Sequence, residues 1–160
     1  MAQASNAEGS LASGNFLTLR DMQTAGSYTV RPVAWVHSDL KRRADAPMQG
    51  YEGAPDARLE VVEDFLQALD GIEVGQEIVI LTWLHEAHRD VLKVHPRDDR
   101  RIRLTGVFAT RSPDRPNPIG LHRVRVLAID ERWIHVQGLE AIDGTPVIDI
   151  KAVLERSNDS

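Results

Sequence analysis

The chain has no cysteine among its 160 residues, which excludes a disulfide framework and any thiolate metal site. No run approaches the length of apolar sequence needed to cross a membrane as a helix. There is no G-x-G-x-x-G and no alternation of strands with amphipathic helices, which argues against a doubly wound nucleotide-binding fold. A phosphate loop, a Ser-His-Asp order and a deaminase signature are missing as well. His85-Glu86-Ala87-His88 falls short of the zincin pattern because position 89 is Arg, and no third ligand stands out, so no metal is expected. The formal net charge of −5 argues mildly against broad, non-specific nucleic-acid binding. A soluble cytoplasmic protein is the default expectation.

What is present fits one domain with a real core: 42% of the residues are hydrophobic. Residues 1–27 are rich in Ala, Ser, Gly and Gln, lack an apolar signal-peptide core, and read as a flexible leader. Residues 28–155 form the expected domain, with 156–160 as a tail. Tyr28–His37 reads as a first strand, with Pro32 marking an edge or a bulge. Residues 38–56 are loop by composition. Leu59, Val62, Phe65, Leu66 and Leu69 recur at helical spacing, although Leu59–Val62 would serve equally as a strand. Glu77–Leu84, Ile102–Ala109, a hairpin of Val124–Ile129 with Trp133–Gly138, and Val147–Ile150 complete the strands. Many short strands with one or two short helices predict a mainly β protein, a small closed or nearly closed β-barrel.

The most informative stretch runs from Gly106 to Leu121. It begins as an apolar strand and stops at a segment holding three prolines, Pro113, Pro116 and Pro118, in six residues. Proline fixes φ and lacks a backbone donor, so this segment can be neither helix nor inner strand. The residues before each proline are pushed toward extended conformations too. The result is a stiff loop presenting Arg111, Ser112, Asp114, Arg115 and Asn117 at little ordering cost, which is how ligand sites are built. A sharp corner of solvated charges is the plainer alternative.

Other segments say less by themselves. His85 and Glu86 follow a buried strand, where ligand-contacting groups gather but where a polar cap is equally common. Asp143-Gly144-Thr145-Pro146 is a plausible turn. Asp149 and Lys151 alternate imperfectly with their apolar neighbours. Pro47-Met48-Gln49 is uninformative on physical grounds. Lys41-Arg42-Arg43 and Arg97–Arg103 are local basic clusters; each alone reads as solvated surface, gaining meaning only if both flank the proline loop in space.

The Phe-Ala-Thr-Arg-Ser-Pro…Arg-Pro-Asn-Pro-Ile-Gly-Leu run, with Asp143–Pro146 and Asp149-Ile150-Lys151, resembles the TsaA-like (YaeB) family, whose characterised members are the TrmO tRNA methyltransferases. The resemblance covers about Tyr28 to Lys151 and implies a small β-barrel assembled as a homodimer. It implies S-adenosylmethionine (S-adenosyl-L-methionine) bound near the subunit interface. The implied reaction methylates N6 of threonylcarbamoyladenosine beside the tRNA anticodon. Carried over by motif, the family's Pro-Arg-Gln cofactor loop falls on Pro47, Met48 and Gln49. Its polar pair falls on His85 and Glu86, its motif arginine on Arg111, and its closing leucine on Leu121. Its Asp-Gly-Thr-Pro turn falls on Asp143, Gly144, Thr145 and Pro146.

Met48 replaces the family arginine and so removes a guanidinium from the cofactor neighbourhood. Ser38-Asp39 stands where the family has Ser-Pro, and the chain reads as a short form without the extra C-terminal domain of longer members. Asp143, Glu86 and His85 are the candidate proton acceptors, with Arg111 and the proline loop shaping the pocket. A module that binds S-adenosylmethionine as a sensor or regulator, without methylating tRNA, is the alternative. An enzyme acting on another small amide or nucleotide is a third reading.

Overall fold

The computed structural model describes residues 26–154. The expected leader lies outside them save for its last two residues, as does the expected tail. The strands, in chain order, are β1 (Ala34–His37), β2 (Ala57–Val61), β3 (Glu77–Trp83), β4 (Lys93–Val94), β5 (Thr105–Gly106), β6 (Ile119–Asp130), β7 (Trp133–Gln137) and β8 (Pro146–Ala152). Six of them close into a barrel in the order β1-β2-β7-β6-β3-β8, while β4 and β5 pair separately as a short ribbon. Every pairing is antiparallel. The architecture is the small closed barrel predicted above.

The barrel forms because its strands alternate with period two. In β3, Ile78, Ile80 and Thr82 are buried while Glu77, Val79, Leu81 and Trp83 lie outside. In β6, Gly120, His122, Val124 and Val126 point inward, and Ile119, Leu121, Arg123 and Arg125 outward. Leu59, Ile134, Val36 and Val147 fill the interior from the remaining strands. Burying each such side chain contributes about 1.5–3 kcal/mol. The helical spacing and the strand-like start of Leu59–Leu69 are both realised: β2 ends at Val61, and a 3-10 helix, Glu63–Leu69, packs Phe65, Leu66 and Leu69 on the core.

Two expected strands are shorter than their composition suggests. β1 begins only at Ala34, just after Val33 exchanges bonds with Val147 O and the Val62 N–H; Pro32 before it has no N–H to donate, and Tyr28 and Val30 are exposed. Of Ile102–Ala109, only Thr105–Gly106 is strand, followed by a 3-10 turn, Val107–Ala109. The chain turns there because the Thr110 N–H and hydroxyl donate back to Val107 O, at 3.0 and 2.9 Å. The Arg115 guanidinium donates to Val107 O at 3.0 Å and to Thr110 O at 2.6 Å. β6, by contrast, is longer than expected and starts directly after Pro118.

Antiparallel closure has one consequence for function. The connections β1–β2 (residues 38–56), β3–β6 (84–118) and β7–β8 (138–145) all leave from the same end of the barrel. The short β6–β7 hairpin and the β2–β3 connection occupy the other end.

Candidate functional site

Each of the three connections at that end holds on to another. Arg43, from the first, places Nη2 2.9 and 3.0 Å from the two carboxylate oxygens of Asp114 in the proline loop, and its Nη1 donates to Glu86 O at 3.0 Å. Asp114 Oδ1 also accepts the His88 N–H at 2.8 Å, and the Arg115 N–H reaches His88 O at 3.0 Å. Leu84 N–H donates to Pro118 O at 2.8 Å, tying the end of β3 to the start of β6. Burial pushes the Asp114 carboxyl up, but Arg43 and the His88 N–H pull it down further, and the group ends below its usual carboxylate value. One ion pair thus joins two connections 71 residues apart in sequence.

The proline loop is braced from within by Arg115, whose Nε donates to Ser112 O at 2.8 Å while Nη2 takes Val107 and Thr110. Prolines remove donors from this loop, and a guanidinium returns them. Arg111, the motif arginine, is exposed and has no hydrogen-bond or ion-pair partner among the described residues.

The third connection is sewn to the first. Asp143 Oδ1 accepts the Ser38 N–H at 3.0 Å, Oδ2 lies 2.9 Å from Lys41 Nζ, and the Asp143 N–H donates to Leu40 O at 2.7 Å. Lys41, with the Ser38 amide second, holds this carboxyl below its usual range. Gly144, at φ +74°, lets the chain turn and donate to Val36 O at 2.8 Å, while Thr145 is buried and accepts the Val36 N–H. Gly50, just after Pro47–Gln49, packs so closely on the β7–β8 connection that a Cβ would lie 2.4 Å from Gly138 O. An open groove of about 510 Å³ beside Asp143 is lined by His37, Lys41, Arg58 and His135 among others.

These contacts place Pro47–Gln49, His85–Glu86, Arg111 and Asp143–Thr145 on loops at one end of the barrel, with Pro146 opening β8. Met48, His85, Glu86 and Arg111 are exposed, and the His85 and Glu86 side chains are unengaged among the described residues. Leu121 stands apart. It lies opposite Leu81 on the outer face of β6 and β3 and is 45% exposed. Among the described residues no group of three His, Asp or Glu gathers as a metal site.

Comparison with known proteins places the chain among relatives of known family and fold. The sequence model described as the tRNA-methyltransferase O N-terminal domain matches residues 35–159. The chain belongs to that family. A "Probable S-adenosyl-L-methionine-binding protein" of Methanothermobacter thermautotrophicus is 47% identical over 126 residues, spanning 79% of this chain and 90% of the relative. An "S-adenosyl-L-methionine-binding protein" of Archaeoglobus fulgidus is 40% identical, over 76% of this chain and 86% of the relative. The crystal structure of TrmO from Pseudomonas aeruginosa superposes with a TM-score of 0.65 at 26% identity, covering 85% of this chain and 61% of that one. The chain therefore spans about three fifths of the solved TrmO chain.

Within this TrmO N-terminal fold, the residues missed from sequence are the ones that organise the site. Arg43 reads only as part of a basic cluster and Asp114 as one loop charge, because nothing local reveals a pairing across 71 residues. Arg115 was legible only as a polar loop residue; the signal was a guanidinium beside backbone stripped of donors. His122, whose Nε2 lies 2.9 Å from Thr82 Oγ1 inside this end of the barrel, is buried and left no signal at all.

Proposed function

We propose that this chain binds S-adenosylmethionine at the loop-bearing end of the barrel. We further propose that it methylates N6 of threonylcarbamoyladenosine beside the tRNA anticodon, acting as a homodimer. The observation that carries this reading is the interlocking of the three connections through Arg43–Asp114 and Asp143–Ser38, which gathers the family's motif segments on one end. Family membership and relatives named for S-adenosylmethionine binding support the cofactor.

The donor set suits that cofactor. Its amino-acid tail carries a carboxylate and an ammonium, and its sulfur is cationic. This end of the barrel offers the exposed Arg111 guanidinium, the Glu86 carboxylate and the backbone of two turns. When bound, the cofactor supplies an electrophilic methyl group that the acceptor nitrogen takes in line, the C–S bond breaking as the C–N bond forms. The loops position the two partners, and positioning supplies much of the acceleration. The N6 lone pair is delocalised into a carbonyl, so a base that removes the N6 proton raises its nucleophilicity. Asp143 is poorly suited, since Lys41 and the Ser38 amide already occupy its oxygens. His85 and Glu86 retain free side chains, and the proton acceptor is one of them.

The outer face of β6 and β3, with Ile119 and Leu121 each nearly half exposed beside Leu81 and Trp83, is the surface a second copy covers. Incubation with labelled S-adenosylmethionine and total tRNA tests the function. The expected result is label in tRNA, recovered by nucleoside mass spectrometry as the methylated threonylcarbamoyl nucleoside. Binding without transfer supports the sensor-module reading, which the relatives' names, mentioning binding alone, also favour.

A further inference from the structure

Between His85–Glu86 and the proline loop the chain makes an excursion that carries none of the residues proposed for the cofactor site. β4 and β5 pair over two residues each, and His95–Leu104 forms the loop beyond them. Lys93–Arg103 holds five cations (Lys93, Arg97, Arg100, Arg101 and Arg103) against two carboxylates, Asp98 and Asp99, a local surplus of three on a chain whose net charge is −5.

This loop is built rather than loose. His95 Nδ1 is 2.7 Å from Ile102 O, and Asp98 N–H donates to His95 O at 2.9 Å. Asp99 accepts the Arg101 backbone amide at 2.9 Å and its guanidinium at 2.7 Å. Arg97 reaches across to Glu52 Oε1 at 3.0 Å, fixing the loop to the connection that carries Pro47–Gln49. Two of the five cations are therefore spent on holding the shape. Lys93, Arg100 and Arg103 are exposed and have no partner among the described residues. Like charges held together without partners cost stability unless a ligand neutralises them.

We propose that this β4–β5 arm is an RNA grip, in which Lys93, Arg100 and Arg103 contact consecutive phosphates of the nucleic acid whose base is presented to the barrel end. The arm's attachment to Glu52 sets the distance between gripped backbone and reacting base. The inference rests on the nucleic-acid part of the proposed function and adds the surface that holds the substrate. Phosphate contacts position RNA without reading sequence, so the arm supplies affinity rather than choice of base.

The test is the salt dependence of total-tRNA binding, by filter retention, for the unaltered chain, a Lys93→Ala/Arg100→Ala/Arg103→Ala variant and an Arg100→Lys/Arg103→Lys variant. Loss of three phosphate contacts lowers the magnitude of the slope of log K against log salt by about two to three. The triple-alanine variant is expected to show that drop with unchanged S-adenosylmethionine affinity by calorimetry and a melting midpoint no lower than the original. The lysine variant is expected to keep the original slope. An unaltered chain that binds tRNA, beside a triple variant with the same slope, overturns the arm and leaves the proposed function standing. An unaltered chain that binds no tRNA overturns both.

Discussion

Arg43 and Asp114 meet as an ion pair in which Arg43 Nη2 lies 2.9 and 3.0 Å from the two carboxylate oxygens, while Nη1 holds the Glu86 carbonyl. Asp114→Asn keeps the shape and removes the charge, leaving the part-buried guanidinium without its anion. A hydrogen bond to a charged group contributes about 1.5–3 kcal/mol, and the solvent access of Arg43 reduces that to about 1 kcal/mol here. The variant is expected to melt a few degrees lower and, because the clasp sets the spacing of two site loops, to bind S-adenosylmethionine several-fold more weakly. Calorimetry beside a melting curve checks both.

The same pair gives a pH dependence with a definite sign. The Asp114 carboxyl lies below its ordinary value of 3.8 in the folded chain. Its contribution is fully present above that value and is lost as pH falls through the lower folded value. Asp143, held low first by Lys41, behaves alike. The melting midpoint is therefore expected to respond to these two carboxyls only below about pH 4, and Asp114→Asn is expected to shrink that acid-side loss.

Arg115 feeds three carbonyls of a loop that prolines have stripped of donors. Lysine keeps the charge but not the planar fork. Arg115→Lys is accordingly expected to cost about 2 kcal/mol and to weaken cofactor binding, with charge retention giving little rescue. Equal denaturant midpoints for the two proteins would count against this role.

Arg111 makes the opposite prediction, being exposed and unpaired among the described residues. Arg111→Ala is expected to leave the folding stability within about 0.5 kcal/mol of the original. It should weaken S-adenosylmethionine binding about tenfold by titration calorimetry, as for a lost charged contact. Unchanged affinity removes Arg111 from the site.

Gly120 of the Pro-Asn-Pro-Ile-Gly-Leu run points into the barrel. A Cβ there would stand 2.4 Å from Thr82 Oγ1 and 2.6 Å from His122 Nε2. Gly120→Ala is expected to destabilise by about 1–3 kcal/mol, the cost of overpacking a filled interior. A chemical denaturation curve measures it. The glycine in the motif is thus explained by packing, with no direct role toward a ligand required.

The sequence alone pointed to a closed or nearly closed barrel, because many short apolar strands such as Glu77–Leu84, separated by turn signals, bury their inner faces by closing on one another. It also determined the stiffness of Pro113–Pro118, which follows from proline's covalent geometry alone. It overcalled Ile102–Ala109, since apolar content cannot show that Thr110 donates back to Val107 O and turns the chain. His85–Glu86, Arg111 and the Asp143–Pro146 turn were readable as separate motifs, while Pro47–Gln49 drew attention only through the family resemblance. That they stand at one end, that Arg43 and not Arg111 holds the proline loop, and that Leu121 faces away on the outer wall were decided only by tertiary structure. Strand composition and proline stiffness are local properties that a short window of the chain contains. An ion pair across 71 residues depends on how antiparallel closure orders the strands, and no single window of sequence contains that information.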